Sequence, residues 1–203
     1  MGLVNGFSGV IFDYGGVLVA HQSQEDVDYL AGIAGVPVPL FNQLYWADRA
    51  PYDRGDIEGV DYWRNLGRKA GMVLNDATIH SLIGHDSAAW MKFYGAMYDF
   101  VDELRADGKK VAVLSNMPKD LGLAIRSEGF GFRNFDHVTL SYEVRSAKPE
   151  AAIYKHCLEG IGTVPENTLF LDDRVENIRA AHALGIKAIQ FTHPDEMLPQ
   201  LRA

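Results

Sequence analysis

Asp13 ends the apolar run Gly9-Val-Ile-Phe-Asp13 and is followed by Tyr14, Gly15 and Gly16. Ser115 and Asn116 end the run Lys110-Val-Ala-Val-Leu-Ser-Asn116, and Asp172 and Asp173 end Thr168-Leu-Phe-Leu-Asp-Asp173. Between the last two stands Lys148, directly before Pro149 and Glu150, which form a good helix start. Brought together, three carboxylates, one ammonium and one hydroxyl suit one kind of chemistry. The carboxylates repel one another at a few ångströms unless a cation sits among them. Mg2+ is the natural cation, being hard, oxygen-seeking and commonly held by few carboxylates together with substrate phosphate. Lys148 adds a positive charge for a phosphoryl group, and Ser115 adds a hydroxyl donor. Backbone N–H groups of Tyr14, Gly15 and Gly16 can cradle phosphate oxygens in a small nest. Asp13 is then placed as a nucleophile that carries the phosphoryl group as an aspartyl phosphate.

That chemistry requires the runs to lie side by side. Continuous apolar runs of this length, rich in β-branched residues, suit strands buried on both faces of a parallel sheet. A fourth run, Ile186 to Phe191, follows Gly185. Helical segments separate the runs: one stops at Gly108, one spans Pro149 to Gly160, and one spans Val175 to Leu184. Strand and helix in alternation predict a doubly wound α/β domain with a mainly parallel, Rossmann-like sheet. In such sheets ligands bind beyond the carboxyl ends of the strands, where Asp13, Ser115, Asn116, Asp172 and Asp173 fall. Residues 21–92 break the alternation, and helical spacing there predicts Gln24–Ala34, Pro39–Arg49, Val60–Ala70 and Asp76–Ala89. The expected organisation is a core of residues 1–20 and 93–203 and a small helical-bundle cap, residues 21–92, inserted after the first strand. Most aromatics of the cap are expected to pack between helices, with Tyr45, Trp46, Tyr52 and Arg54 as candidates for substrate contact. Trp90 to Tyr94 is expected as helix core at the hinge.

The 203 residues are 47% hydrophobic and 23% charged, an ordinary balance for a soluble globular protein. A net charge of -8 argues against a nucleic-acid partner, which wants clustered Lys and Arg. No apolar run approaches the roughly 18 residues that span a bilayer, and no signal-peptide pattern opens the chain. A cytoplasmic protein that binds no membrane, as monomer or homodimer, is the expectation. The single cysteine, Cys157, makes no internal disulfide. The seven histidines show no i,i+4 pair and no metal-ligand spacing. Taken singly, the site candidates have plain structural uses: Asp-Asp opens helices, Ser-Asn opens loops and Lys-Pro turns corners. Their shared order and shared place at element edges set the functional reading above those uses.

The ordered set resembles the haloacid dehalogenase superfamily across essentially the whole chain. Asp13-Tyr-Gly-Gly-Val17 is similar to its first motif, Ser115-Asn116 to its second and Lys148-Pro149 to its third. Asp172-Asp173, with Asn177 four residues on, is similar to its fourth. The helical insertion resembles the family's type 1 cap, and Arg54-Gly-Asp-Ile-Glu58 resembles a turn of such caps. The resemblance implies Asp13 as nucleophile and metal ligand, with the Gly15 carbonyl, Asp172 and Asp173 completing a Mg2+ site. It implies Ser115, Lys148 and Asn116 as holders of the transferring phosphoryl group, and Asn177 as the residue that orients Asp173. The implied substrate is a small phosphorylated metabolite.

Most phosphatases of that family carry a second aspartate two residues past the nucleophile, as general acid and base, where this chain has Gly15. Such catalysis is worth roughly 10²–10⁴-fold. A cap residue or an ordered water can replace it, the leaving group can need little protonation, as in an anomeric sugar phosphate, or the enzyme can be slow. Relatives with glycine there include sugar-phosphate phosphatases resembling the α-glucose-1-phosphate branch. Two other readings stand beside this one. A metal-independent 2-haloacid dehalogenase uses the same aspartate but has no use for Asp172-Asp173. A non-catalytic binding protein on the same fold has no use for buried charges, which are costly unless paired.

Overall fold

In the computed structural model, which describes residues 2–202, the run Gly9–Phe12 is a strand, β1, with all four residues buried. The chain then turns sharply, and the Gly16 N–H donates to the Val19 carbonyl at 2.8 Å. Gly16 sits at φ 75°, a conformation glycine adopts without strain. The chain leaves the sheet for α1 (Gln24–Ala34), α2 (Val38–Ala47), α3 (Arg49–Asp53), α4 (Gly59–Lys69) and α5 (Asp76–Ala89). A capping box of Ser23 and Asp26 starts α1, and Gly35, at φ 66°, stops it. The expected helix Pro39–Arg49 ends two residues early, as α2 at Ala47, and α3 is a separate short helix beyond it. Pro51 cannot donate to the carbonyl four residues back, at Ala47, and that is where α2 ends.

Helices this short are marginal in water by themselves. Their apolar faces meet in a hydrophobic cluster separate from those on the sheet, with Phe41, Tyr45, Tyr62 and Trp63 at its centre. The returning chain pairs with the outgoing one. Ala20 N–H donates to the Lys92 carbonyl and Tyr94 N–H to the Leu18 carbonyl, both at 2.9 Å. The segment from Trp90 to Tyr94 lies outside any helix: Trp90 and Met91 N–H close the last turn of α5 on the Ser87 and Ala88 carbonyls, and Lys92 and Tyr94 are used in this pairing.

From there α6 (Gly95–Ala106) leads into β2 (Lys110–Ser115), and α7 (Lys119–Glu128) into β3 (His137–Leu140). The short α8 (Ser141–Val144) and α9 (Ala151–Ile161) carry the chain to β4 (Thr168–Asp172). α10 (Val175–Ala183), β5 (Lys187–Gln190) and α11 (Pro194–Arg202) complete it. The strands run parallel in the order β3-β2-β1-β4-β5, a doubly wound, Rossmann-like α/β sheet. Val10 and Phe12 face α6, α7 and α11, while Ile11 faces α9 and α10, as the two-residue period of a strand requires. Strand order reverses between β1 and β4, which opens a crevice at their carboxyl ends. The edge strand β3, His-Val-Thr-Leu, was not expected, since four residues with alternating polar character carry no continuous apolar signal. Among the described residues no helix is long and apolar enough to cross a membrane.

Candidate active site

Register brings the site candidates to one edge. Phe12 pairs with Val113 on β2 and with Leu171 on β4. Asp13 and Asp172 therefore each stand one residue past a paired position, and Asp13 N–H donates to the Leu171 carbonyl at 2.8 Å. Ser115, two residues past Val113, ends β2, and all three side chains are buried. Lys148 enters from the loop before α9. Its Nζ lies 2.7 Å from Asp13 Oδ1 and 2.7 Å from Asp172 Oδ2, with the side chain 1% exposed. One oxygen from each of Asp13, Asp172 and Asp173 lies within 4.8 Å of the other two.

Neighbouring polar groups hold this arrangement. Asn116 Nδ2 donates to the Lys148 carbonyl and its Oδ1 accepts from Lys148 N–H, both at 2.8 Å. Both ends of that amide are thus spent on positioning the lysine. Asn177 Nδ2 donates to Asp172 at 3.0 and 3.1 Å, so it orients Asp172 and not Asp173 as the resemblance implied. The Asp172 carboxylate folds back over the start of α10, where Arg174 N–H also donates to it at 2.8 Å. Asp173 Oδ2 turns instead to His21 Nε2 at 3.1 Å. Of the three amides expected to form a nest, Tyr14 N–H donates to Asp13 Oδ1 at 2.6 Å and Gly16 N–H closes the turn. Of the three, only the Gly15 N–H is left without a partner among the described residues.

Burial raises the pKa of Asp13, and the charges of Asp172 and Asp173 add to that rise while Lys148 opposes it. Burial works against ionised Asp172 as well, yet Lys148, the Arg174 amide and Asn177 outweigh it and hold that carboxyl below the usual range. Burial would neutralise Lys148, but the two flanking carboxylates keep it an ammonium. One lysine cannot balance three acids. A compact set of hard carboxylate oxygens with an excess of negative charge fits a small divalent cation such as Mg2+.

Above these residues lies a cavity of about 500 Å³. From α2 and α3, Trp46, Arg49 and Asp53 line it, and Trp90 comes down from the return segment. Of the four candidates for substrate contact, only Trp46 lines the cavity. Tyr45 is buried behind it, donating to Asp86 Oδ1 at 2.7 Å and accepting from Arg49 and from Trp90 Nε1. Tyr52 and Arg54 tie the helices to the sheet domain: Tyr52 OH donates to Asp120 Oδ2 at 2.8 Å, and Arg54 pairs with Glu150 at 2.9 Å. His21, Arg49, Asp53 and Trp90 were not among the sequence candidates, because none lies in a local pattern that marks a site. Trp90 explains Gly15: a Cβ built there would stand 3.2 Å from Trp90 Cζ3, so the indole already fills the space of a side chain.

Arg49 donates to Asp53 Oδ1 at 2.8 Å and to Asp86 Oδ2 at 3.0 Å. Burial pushes Asp53 up to about 6 despite Arg49, with Asp86 adding to the rise. A carboxyl raised in the folded state supports stability below its unfolded pKa and loses that contribution as pH rises through its folded one. Between pH 4 and pH 7, wild-type unfolding free energy should therefore fall relative to Asp53→Asn by at most about 3 kcal/mol. Urea titrations at the two pH values check this, and parallel pH profiles would refute it.

Residues 7–185 match the haloacid dehalogenase-like hydrolase family, and the chain belongs to it: this protein is a hydrolase of that fold. Among its relatives is a sesquiterpene phosphatase of Aspergillus oryzae, 28% identical over 188 residues, covering 92% of this chain and 90% of that protein. A HAD family enzyme of Bacteroides thetaiotaomicron, solved in complex with magnesium and inorganic phosphate, matches with a TM-score of 0.73. It is 24% identical and covers 91% of this chain and 94% of its own. An L-2-haloacid dehalogenase of Xanthobacter autotrophicus, solved with chloropropionic acid covalently bound, shares the fold at a TM-score of 0.69. It is 18% identical, with 91% of this chain and 77% of that one covered.

Proposed function

We propose that this protein is a Mg2+-dependent phosphatase that hydrolyses a small phosphorylated metabolite through an aspartyl phosphate on Asp13. The observation that carries the reading is Lys148, buried between Asp13 and Asp172 with Asp173 beside them. An ammonium at that point meets a phosphoryl group at the nucleophile. Three carboxylates around one lysine leave negative charge in excess unless a cation joins them. The likeness to a sesquiterpene phosphatase supports the same reaction class.

Lys148 and the Ser115 hydroxyl would bind and orient the phosphoryl oxygens next to Asp13. An Asp13 oxygen attacks phosphorus, the bond from phosphorus to the leaving oxygen breaks, and the alkoxide takes a proton. With no side chain at Gly15, that proton comes from water or from a group in the cavity wall. Water then attacks the phosphorus of the acyl phosphate, releasing inorganic phosphate and restoring the Asp13 carboxylate. Mg2+ held by Asp13, Asp172, Asp173 and the Gly15 carbonyl would supply charge neutralisation for the anionic nucleophile and phosphoryl group. The helices over the cavity would limit the access of bulk water to the acyl phosphate.

Phosphate release from a panel of phosphorylated metabolites tests the proposal, with Mg2+ and with EDTA. Turnover should fall by on the order of 10²-fold or more when the metal is chelated. Metal-independent chloride release from 2-chloropropionate, with no phosphate released from any ester, would replace the phosphatase with a dehalogenase.

A further inference from the structure

We infer that the site takes phosphate monoesters of an apolar, uncharged alcohol, whose carbon chain lies against Trp46 and Trp90. The inference rests on the phosphatase reading above and adds the class of leaving group to it.

The cavity has two unlike parts. At its floor are Asp13, Ser115, Lys148 and Asp173; higher up the wall is Trp46, Trp90, Met117, Pro118 and Leu121. Several of the polar side chains on the wall already have partners, His21 with Asp173 among them. Arg49 is spent on Asp53, Asp86 and Tyr45, and Asn116 holds the Lys148 backbone at both ends of its amide. Arg174 Nε donates to Glu176 at 2.6 Å, and Trp90 Nε1 donates to Tyr45 OH at 3.2 Å. Hydroxyls of a polyol leaving group would give up water here and meet few free partners, which weakens their binding.

Charge points the same way. Two carboxylates flank the Arg49 guanidinium and Glu176 pairs with that of Arg174, so no net positive charge waits there for a second phosphate or a carboxylate on the leaving group. Apolar carbon loses nothing in this space and gains by leaving water. Trp46, which lines the cavity, is 55% exposed, a large aromatic surface with no packing partner over half its area. Rigid indoles of this kind give extensive contact at little conformational cost. Trp90 stands over Gly15, next to the nucleophile, so the first carbons of the leaving group would meet its ring.

The experiment compares kcat/KM for hexyl phosphate, sorbitol 6-phosphate and hexane-1,6-diol bisphosphate, with Mg2+, in wild type and Trp46→Ala. The first two are primary alkyl monoesters, so their ratio reports recognition more than leaving-group chemistry. Hexyl phosphate should exceed sorbitol 6-phosphate by about tenfold or more, the range one apolar contact surface discriminates. The bisphosphate should fall below hexyl phosphate, and Trp46→Ala should bring the hexyl-to-sorbitol ratio toward one. A wild-type ratio at or below one, or a ratio that Trp46→Ala does not move, overturns the inference. In that case phosphate release from sorbitol 6-phosphate leaves the phosphatase reading standing. No phosphate from any of the three, or from 4-nitrophenyl phosphate, brings down the phosphatase reading and this inference with it.

Discussion

Asp13→Asn will reduce phosphate release by on the order of 10⁴-fold or more, the scale expected when a covalent nucleophile is removed and only binding remains. The amide keeps the size of the carboxylate but cannot form the acyl phosphate. Its effect on stability should be small and of the opposite sign. Asp13 is buried and its pKa is raised, so ionising it in the folded protein is unfavourable. Without Mg2+, the Asn variant should melt at the same temperature as wild type or higher at pH 8. The stabilisation given by added Mg2+ should be smaller in the variant, since one of the three clustered carboxylates is gone. Steady-state rates on the best ester and melting curves with and without Mg2+ give all three quantities. Turnover within tenfold of wild type would remove Asp13 from the role of nucleophile.

Lys148→Met is the second large effect, and here stability and activity fall together. The lysine is buried between Asp13 and Asp172 at 2.7 Å from each, and methionine keeps most of its volume while deleting the charge. Removing one partner of a buried ion pair leaves an uncompensated charge and typically costs about 3–5 kcal/mol. For a chain of this length that corresponds to a fall in Tm on the order of 10 °C. The deficit should be larger at pH 8 than at pH 5.5, because protonating Asp13 removes one of the stranded charges. Mg2+ should recover part of the lost stability, since it supplies positive charge to the same carboxylates, while phosphate release stays low. Chemical denaturation at the two pH values, with and without Mg2+, reads each of these. A variant as stable as wild type at pH 8 would show that Lys148 does not neutralise the two acids.

Sequence by itself determined the sheet core and the residues at its working edge. The runs that become β1, β2 and β4 are apolar enough to demand burial on both faces, and that forces a central place in a parallel sheet. Once they lie there, their last residues meet at the carboxyl edge, so Asp13, Ser115 and Asp172 were legible as a group. The four longer helices between β1 and α6 were legible too, from helical spacing and the turn residues between them. All of these signals are local in the chain.

What only the tertiary structure decided are the pairings between distant segments. Gly15 and Trp90 are far apart in sequence, and no pattern at either position says that the indole fills the space beside the glycine. Arg49 and Asp86 come from different helices, and Asp53 on α3 shares its cavity with residues at the strand ends of the sheet. Nor could motif spacing tell that Asn177 bonds to Asp172, because that choice depends on which carboxylate turns back over α10 and which turns out to His21. β3 formed at the edge of the sheet although His137 and Thr139 interrupt its apolar character, since pairing with β2 supplied the order its own sequence lacks. Burial patterns are written along the chain because each residue carries its own hydrophobicity. Partners across a cavity are set by packing, which belongs to the whole fold.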